Sequence, residues 1–395
     1  MLIRNAVTAE GQNTELLLRD GKISAIGTGL DGLLQPDEPV LDAAGKTVLP
    51  AFIDTHCHWR TPGFEYKEDL ATGSAAAAAG GYTFVNLMPN TKPVMSDAAM
   101  AKALEAKVHE IGLCEANQTL SITRNFDGND IDHLKTLPED VKFITEDGHG
   151  VQSAEVMAKA FAVCHEKGVT VMSHAEDMDI SPWDYRLAED IETVRNLYLS
   201  YYYDTRLHMC HVSTRGSIEA IAAAKAKGAP VTCEVTPHHL WYSRDTLIYR
   251  VNPPIREADD VKALIEGIRN GAVDTIGTDH APHSEEDKQK GAAGMVGLET
   301  AFGICYTKLC REEGMDLTVL RRLMSERPAE ILGLTTRGHL LPGYEADLVL
   351  VDLDTPYVVD KTKLHSKSNN CPFDGTTLYG RVCTTIKGGK ITYQA

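Results

Sequence analysis

The middle of the chain alternates eight times between a short apolar run and a helical stretch, over residues 51–337. Apolar runs of this length that alternate with helices are typical of βαβ units and a parallel sheet. The predicted strands are Ala51–Arg60, Tyr82–Met88, Leu113–Leu120, Val141–Thr145, Val169–Ser173, Leu207–Cys210, Val231–Val235 and Val273–Gly277. Eight such units in succession predict an α/β fold of the (β/α)8 barrel type.

Both ends of the chain have a different pattern. Asp20-Gly21 separates two short apolar runs, which is a strong signal for a two-residue hairpin. Near the other end, Ala346–Asp352 reads as a strand, and Gly388-Gly389 separates two further strand-like runs. We therefore expect a small β-sandwich domain built from residues 1–50 and 338–395, and a barrel domain over residues 51–337.

Polar residues of the metal-binding type follow the predicted barrel strands, each at or just past the end of a strand. They are His56, His58, Asn90, Asp147, His174, His211 and Asp279. The C-terminal ends of barrel strands meet at one face, and barrel enzymes place their chemistry there. Scattered histidines would not be expected to follow strand ends so consistently, so the pattern predicts an active site at this face.

The first predicted strand ends in His56, His58 and Arg60, which strand alternation places on one face. Two imidazoles at this spacing can bind one divalent metal ion, and the Arg60 guanidinium can hold an anion beside it. The same alternation turns Cys57 and Cys210 away from the ligand face. We therefore interpret both cysteines as packing residues.

Four histidines and two aspartates of this set form a nitrogen and oxygen donor set that suits zinc. Six ligands are too many for one tetrahedral ion that keeps an open position. They suit two ions about 3.5–4 Å apart that share a carboxylate and a hydroxide. A carboxylate that binds one ion can also take the proton of that hydroxide, and Asp279 on the last strand is our candidate.

The charge of the chain argues against two classes of partner. The sequence has 39 Lys and Arg residues against 56 Asp and Glu residues, which gives a net charge of −17. Nucleic acids and anionic membranes are bound mainly through basic faces. No signal peptide or apolar span is evident, and the nine cysteines include no CxxC pair. We therefore expect a cytoplasmic protein with reduced cysteines that binds neither nucleic acid nor membranes.

Several motifs resemble those of the class I dihydroorotases, a group within the amidohydrolase superfamily. The stretch Asp54–His58 is similar to the opening motif of the superfamily. The motifs similar to class I dihydroorotases are His58–Glu68, Met88–Pro93, Val251–Arg256, Thr278–His283, Gly297–Thr300 and Ser366–Ser368. This combination spans nearly the whole chain and is more specific than any single motif.

The resemblance implies the reversible cyclisation of N-carbamoyl-L-aspartate to L-dihydroorotate, a step of pyrimidine synthesis. It implies that His56, His58 and Asp279 hold one zinc ion, that His174 and His211 hold the second, and that Asp147 bridges the two. It also implies that the substrate carboxylate is bound by Arg60, Asn90 and His283, with Asn252 near the ring. A homodimer and an association with aspartate transcarbamoylase are further expectations.

Three points stay open in the sequence. The bridging group could be Asp147, Glu146 or a carboxylated Lys142, and the strand-end position favours Asp147. The polar segment Ser284–Gly294 could be a lid over the site or a plain surface loop. The pair His238-His239 could support the site from behind or contact the substrate.

Two other functions are alternatives. A hydantoinase, dihydropyrimidinase or allantoinase acts on a neutral ring and has less need of Arg60, Asn90 and His283 around one carboxylate. A catalytically silent dihydroorotase-like subunit could instead support an aspartate transcarbamoylase. Such a subunit would be expected to have lost metal ligands, whereas this chain keeps the whole set.

Overall fold

The computed structural model describes residues 1–395 and contains nineteen strands and eleven α-helices. In chain order the strands are β1 (Leu2–Val7), β2 (Asn13–Arg19), β3 (Lys22–Gly27), β4 (Val40–Asp42), β5 (Thr47–Pro50), β6 (Phe52–Cys57), β7 (Tyr82–Leu87), β8 (Glu115–Gln118), β9 (Leu120–Ser121), β10 (Phe143–Thr145), β11 (Thr170–Ser173), β12 (Leu207–Met209), β13 (Val231–Val235), β14 (Thr275–Ile276), β15 (Leu348–Asp352), β16 (Tyr357–Val358), β17 (Thr377–Leu378), β18 (Arg381–Lys387) and β19 (Lys390–Gln394). The helices are α1 (Leu70–Ala79), α2 (Ala98–Ile111), α3 (Ala154–Lys167), α4 (Tyr185–Tyr203), α5 (Arg215–Ala226), α6 (Pro237–Trp241), α7 (Ala258–Arg269), α8 (Glu285–Gln289), α9 (Ala301–Cys305), α10 (Leu317–Arg321) and α11 (Arg327–Leu332).

Strands β6 to β14 form a closed barrel of parallel strands. Hydrogen bonds link them in the orders β6-β7-β8 and β9-β10-β11-β12-β13-β14, and β8 and β9 are one strand interrupted at Thr119. The ring closes between the first and last strands, where the His58 backbone N–H donates to the His280 carbonyl oxygen at 2.9 Å. The structure therefore has eight strand positions, which confirms the predicted (β/α)8 architecture.

The barrel helices begin and end where the sequence provides caps. Helix α3 begins where Ser153 accepts from the Val156 N–H, and it ends at Gly168 in a left-handed conformation. Helix α1 starts at Leu70 because Asp69 is its N-cap and accepts from two backbone N–H groups. None of the helices combines the length and the apolar character that a bilayer crossing needs.

The two ends of the chain share one sheet. Its strand order is β19-β18-β15-β5-β1-β2-β3, and β4 also pairs with β1. Asp20 and Gly21 join β2 to β3 with φ angles of 49° and 75°, as a tight hairpin with two left-handed residues requires. The β domain expected from both termini is thus present, as one continuous branched sheet rather than as the two separate sheets of a sandwich.

The segment between β16 and β17 packs against the barrel, and it touches the terminal sheet through its His365 ring, which lies 5.5 Å from the Tyr393 ring of β19. The Phe373 ring lies 4.7 Å from the Tyr242 ring, and Asn370 accepts a hydrogen bond from the His283 N–H at 3.1 Å. Residues near the C-terminus therefore help to position the barrel face that carries the candidate site. The boundary that assigns all of 338–395 to the β domain stays a prediction.

The barrel core gives a stability prediction. Phe52 on β6 is fully buried, and its ring stacks on Phe302 at 4.9 Å and meets the edge of Tyr82 at 5.6 Å. Phe52→Ala should lower the free energy of unfolding by about 3–5 kcal/mol. The substitution removes the buried ring and leaves a cavity that the surrounding side chains fill only partly. Ile248→Ala, at a side chain that is 97% exposed, should change it by less than about 0.5 kcal/mol. Equal losses in denaturant titrations of the two variants would contradict this assignment of the core.

Candidate metal centre and active site

Six side chains meet at the C-terminal face of the barrel, and we call them the ligand cluster. They are His56, His58, Asp147, His174, His211 and Asp279, and all six are buried. His56 lies within β6, and the others follow the ends of β6, β10, β11, β12 and β14 by one to three residues. Residues up to 223 positions apart in the sequence are thereby brought together, because parallel barrel strands all end at one face.

Asp147 lies at the centre of the ligand cluster. Its Oδ1 atom is 3.2 Å from His56 Nε2, 3.6 Å from His174 Nδ1 and 3.7 Å from His211 Nε2. Its Oδ2 atom is 3.5 Å from His58 Nε2. One carboxylate therefore faces four imidazoles, with its two oxygens directed to different sides.

The other two bridge candidates point elsewhere. Glu146 accepts a hydrogen bond from the Thr123 N–H at 2.9 Å and another from the Thr123 hydroxyl. Lys142 donates to the Glu139 carbonyl oxygen near the start of its strand. Neither side chain reaches the ligand cluster.

Asp279 approaches the same two first-strand histidines as Asp147. Its Oδ1 atom is 3.1 Å from His58 Nε2 and 3.7 Å from His56 Nε2. Burial by itself would raise the pKa of Asp279, but the His58 hydrogen bond and the charge of His56 bring it below its ordinary value. The Asp279 carboxylate is therefore ionised at neutral pH and can accept a proton.

The donor atoms of the ligand cluster fit a divalent cation. His56 Nε2 and Asp147 Oδ1 are buried and make no hydrogen bond, although nearly all buried polar atoms have a partner. His174 Nδ1 and His211 Nε2 face each other at 2.8 Å. Two groups bring their donor atoms within 4.8 Å of one another, namely His56 with Asp147 and His211, and His56 with His58 and Asp279. Metal ions would give these inward-facing lone pairs the partner that the protein lacks.

Three of the imidazoles have a hydrogen-bond partner on the ring nitrogen that faces away from Asp147. The pairs are His56 Nδ1 with Glu234 Oε1 at 2.8 Å, His58 Nδ1 with Asn90 Oδ1 at 2.8 Å, and His174 Nε2 with Glu176 Oε2 at 3.2 Å. An acceptor on the outer nitrogen fixes the tautomer whose inner nitrogen carries the lone pair. Each ring is thus oriented to bind a metal ion through its inner nitrogen.

Glu234 is a functional candidate that the sequence analysis missed. It is fully buried on β13 and contacts His208 Nε2 at 3.1 Å and the His211 N–H at 3.2 Å, besides His56. The available signal was a charged residue inside an apolar strand. Cys210 also differs from the expectation, because its thiol lies within 4.8 Å of donor atoms of His56 and Glu234 instead of turning away.

Arg60 lies beside the ligand cluster without a counter-charge. Its side chain is buried, no carboxylate lies within 4 Å of it, and it donates to the Pro282 carbonyl oxygen at 3.2 Å. Burial lowers the pKa of Arg60 to about 10, which still leaves it charged at neutral pH. Strand alternation does not place Arg60, contrary to the prediction: β6 ends at Cys57, and Arg60 reaches the site from a left-handed conformation with φ 57°.

The two predicted asparagines are held by the ligand cluster. Asn90 donates from Nδ2 to Asp147 Oδ2 at 3.2 Å, in addition to its contact with His58. Asn252 donates to Glu176 Oε2 at 2.8 Å and lies 3.3 Å from His174 Nε2. Both side chains therefore connect the ligand cluster to the surface of the site.

An open cavity of about 270 Å³ lies above the ligand cluster. Nine of the ten predicted site residues line it, and His56 lies beneath. His283 also lines it, with Nε2 at 3.2 Å from the Arg60 guanidinium. The volume suits a small ring compound.

The structure describes two features whose roles the sequence left open, namely the segment Ser284–Gly294 and the pair His238-His239. The segment Ser284–Gly294 begins with helix α8, and Lys288 fastens it by donating to the carbonyl oxygens of Arg250, Ala292 and Gly294 at 3.0, 2.8 and 2.8 Å. Neither His238 nor His239 lines the cavity. His239 contacts the Pro253 carbonyl oxygen at 3.1 Å, so it braces the loop that carries Asn252.

Comparison with known proteins gives the family. Residues 47–392 match the amidohydrolase family, which is 346 of the 395 residues (392 − 47 + 1). The chain belongs to the amidohydrolase family. This amidohydrolase is 46% identical over 399 residues to a dihydroorotase of Clostridium botulinum (strain Eklund 17B / Type B), with 100% of this chain and 99% of the relative covered. It is 38% identical over 409 residues to a dihydroorotase of Geobacter metallireducens, with 96% and 95% covered.

Solved structures give the same fold. The L-hydantoinase (dihydropyrimidinase) from Arthrobacter aurescens superposes on this amidohydrolase with a TM-score of 0.88 at 25% identity, over 99% of this chain and 95% of that one. The dihydropyrimidinase from Brevibacillus agri NCHU1002 gives a TM-score of 0.86 at 24% identity, over 99% and 94%. These likenesses establish the architecture of the chain.

The position of Glu234 leads to a prediction about metal binding. Glu234→Gln should weaken metal affinity about tenfold to hundredfold, because an amide orients the His56 ring less firmly than a carboxylate. Competition with a metallochromic chelator measures this affinity. Glu105→Gln, at a carboxylate on α2 that accepts from the Gln118 N–H at 2.8 Å, is the matched control and should leave affinity unchanged. Equal affinities for all three proteins would refute the role of Glu234.

Proposed function

We propose that this amidohydrolase is a dihydroorotase that interconverts N-carbamoyl-L-aspartate and L-dihydroorotate. The supporting observation is the buried guanidinium of Arg60, which lies beside the ligand cluster with no carboxylate within 4 Å. A buried charge ordinarily has a partner, because its desolvation is costly. A carboxylate on the substrate would supply the missing counter-charge, and both dihydroorotate and carbamoyl aspartate carry one. The end-to-end likeness to dihydroorotases supports the same activity.

We further propose that the ligand cluster binds two zinc ions. His56, His58 and Asp279 would hold one ion, His174 and His211 the other, and Asp147 would contact both. Imidazole nitrogens mixed with carboxylate oxygens favour zinc over calcium or magnesium, which prefer oxygen ligands alone. When bound, such a centre polarises a carbonyl group and makes hydroxide available at neutral pH.

The side chains around the cavity would position the substrate. Arg60 presents a planar fork that matches a carboxylate, and His283 and Asn90 lie next to it. Holding the carboxylate at this edge would direct the ring amide towards the ligand cluster, with Asn252 beside the ring. Fixed orientation of this kind lowers the barrier by removing the entropy cost of alignment.

Asp279 would move the proton. In the hydrolytic direction it would accept the proton of the attacking water and deliver it to the ring nitrogen as the amide bond breaks. In the synthetic direction it would take the proton from that nitrogen as the ring closes. An ionised carboxylate in contact with His58 suits both steps.

We also infer a cytoplasmic homodimer. Helix α4 exposes an aromatic face, with Tyr198, Tyr201 and Tyr202 each more than half exposed. Exposed patches of this kind commonly form protein interfaces, where tyrosine is enriched. Light scattering tests the dimer, and co-purification tests a separate association with aspartate transcarbamoylase.

The rival activities concern neutral rings, and one assay separates them. The metal-loaded enzyme should hydrolyse dihydroorotate and leave dihydrouracil, hydantoin and allantoin essentially unchanged, because only dihydroorotate has a carboxylate for Arg60. Removal of metal with a chelator should abolish the activity, and zinc should restore it. Faster turnover of a neutral ring would favour a hydantoinase or dihydropyrimidinase instead. Absence of metal and of activity together would favour a silent partner subunit.

Arg60 leads to a prediction about substrate binding. Arg60→Met should raise the KM for dihydroorotate roughly tenfold to hundredfold, because a charge-assisted hydrogen bond contributes about 1.5–3 kcal/mol. Metal content should stay unchanged. Arg124→Met, at an exposed arginine paired with Asp130, is the control and should behave as wild type. An unchanged KM in Arg60→Met would remove the carboxylate from this position.

Asp279 leads to a prediction about catalysis. Asp279→Asn should lower kcat by at least about a hundredfold, because an amide cannot accept the proton, while metal stays bound. Metal analysis and steady-state kinetics on one preparation measure both quantities. Asp245→Asn, at an exposed loop position, should have no effect. Retained turnover in Asp279→Asn would exclude Asp279 from proton transfer.

A further inference from the structure

His283 lies between cationic side chains on both edges of its ring. Nε2 is 3.2 Å from the Arg60 guanidinium, and Nδ1 is 3.4 Å from the Lys67 ammonium. Burial, then the charges of Arg60, Lys67 and Lys288, lower the pKa of His283 to about 3, whereas Asp287 acts weakly in the opposite direction. The ring is therefore neutral throughout the neutral pH range.

A neutral imidazole cannot satisfy both neighbours. It has one N–H group and one lone pair, so it can accept a hydrogen bond on one nitrogen only. The Arg60 guanidinium and the Lys67 ammonium are both donors without an acceptor atom. Only one of the two contacts of His283 is therefore a hydrogen bond at any time.

The surroundings of Lys67 favour the contact at Nδ1. Its ammonium group is held from other sides by Asp287 Oδ2 at 3.4 Å and by the rings of Phe64 and Tyr66, whose centroids lie 5.2 and 5.5 Å away. Its carbonyl oxygen accepts from the Ser368 hydroxyl at 2.6 Å. Lys67 does not line the cavity, whereas Arg60 and His283 do. The Nδ1 edge therefore faces a fixed donor, and the Nε2 edge faces the side where the substrate would bind.

We propose that Lys67 is a positioning residue that sets the tautomer of His283. By donating to Nδ1, the ammonium keeps the proton of the ring on Nε2. Nε2–H then donates to the substrate carboxylate, and Arg60 binds the same carboxylate with its guanidinium. The inference rests on the proposed function, since the carboxylate is that of dihydroorotate or carbamoyl aspartate.

The opposite tautomer would work against binding. With the proton on Nδ1, His283 would turn a lone pair towards the carboxylate and place the Nδ1–H against the Lys67 ammonium. Both contacts are repulsive. In the proposed tautomer the Nε2–H and the Arg60 guanidinium, whose nitrogen atoms are 3.2 Å apart, are two donors, and the substrate carboxylate accepts from both. Lys67 thus contributes to selection for an anionic ring without touching the substrate.

The segment after His283 takes part through Asp287. This carboxylate on α8 accepts from the Ser284 hydroxyl at 2.9 Å and from the Tyr66 hydroxyl at 3.4 Å, besides its contact with Lys67. It holds the ammonium group in place near Nδ1. Helix α8 is thereby connected to the substrate side of the site even though none of its residues lines the cavity.

The tautomer is measured directly by nitrogen-15 NMR of the histidine rings in the metal-loaded enzyme. The signal of His283 is assigned by its loss in His283→Gln. We expect the Nε2–H tautomer in wild type and a shift towards Nδ1–H, or a mixture, in Lys67→Met. A wild-type ring with its proton on Nδ1 would overturn the proposal.

Kinetics separate positioning from a merely structural role. Lys67→Met should raise the KM for dihydroorotate roughly tenfold, with kcat within about threefold and metal content unchanged. Lys67→Arg keeps a cationic donor and should restore most of the affinity and the Nε2–H signal. Lys290→Met, at an exposed lysine directly after α8 that pairs with Glu286, is the charge-matched control and should behave as wild type.

The outcomes distinguish this inference from the proposed function. If Lys67→Met leaves both KM and the tautomer unchanged, Lys67 has no such role. If Lys67→Met loses metal and thermal stability but its His283 keeps the wild-type tautomer, the role of Lys67 is structural and the proposal fails. If metal-loaded wild type does not turn over dihydroorotate, the proposed function fails, and the NMR spectra still decide whether Lys67 sets the tautomer.

Discussion

The burial of Asp147 among four imidazoles is the interaction on which the site depends. Lone pairs that converge without hydrogen-bond partners, as at His56 Nε2 and Asp147 Oδ1, are unfavourable unless a cation lies between them. The outer partners Glu234, Asn90 and Glu176 then fix which nitrogen of each ring faces inwards. Within the site, His56 Nε2 and Asp147 Oδ1 would gain a partner when a metal ion binds. The Arg60 guanidinium, which has no carboxylate partner, lies at the edge of the same site.

The closure of the barrel makes this convergence possible. Asp54 on β6 accepts from the Thr278 N–H at 2.9 Å and the Thr278 hydroxyl at 2.5 Å, and also from the His56 N–H at 3.1 Å. One buried carboxylate therefore ties the first strand to the segment after the last strand. Because His56 and Asp279 lie next to these contacts, the relative position of the two ends of the ligand cluster follows from the closure of the fold.

The sequence predicted the parts of the molecule that follow from local periodicity. The alternation of strands and helices predicted the barrel. The polar residues at the strand ends predicted the members of the ligand cluster, because parallel barrel strands end at one face. It could not predict contacts that depend on side-chain direction across strands. Glu234 and Cys210 became neighbours of His56 through packing of β6, β12 and β13, and Lys67 reached His283 through a turn that no periodicity describes. Arg60 reaches the site because its own backbone has a left-handed conformation, and not because strand alternation places it there.

The central claim is that the ligand cluster binds metal ions for the hydrolysis of an anionic cyclic amide. Metal analysis and a dihydroorotate assay on the same preparation test it most directly. The account predicts about two zinc ions per chain and dihydroorotate hydrolysis that is lost with the metal and regained with it. Full activity in a preparation stripped of metal, or a metal-loaded enzyme that does not act on dihydroorotate, would contradict it.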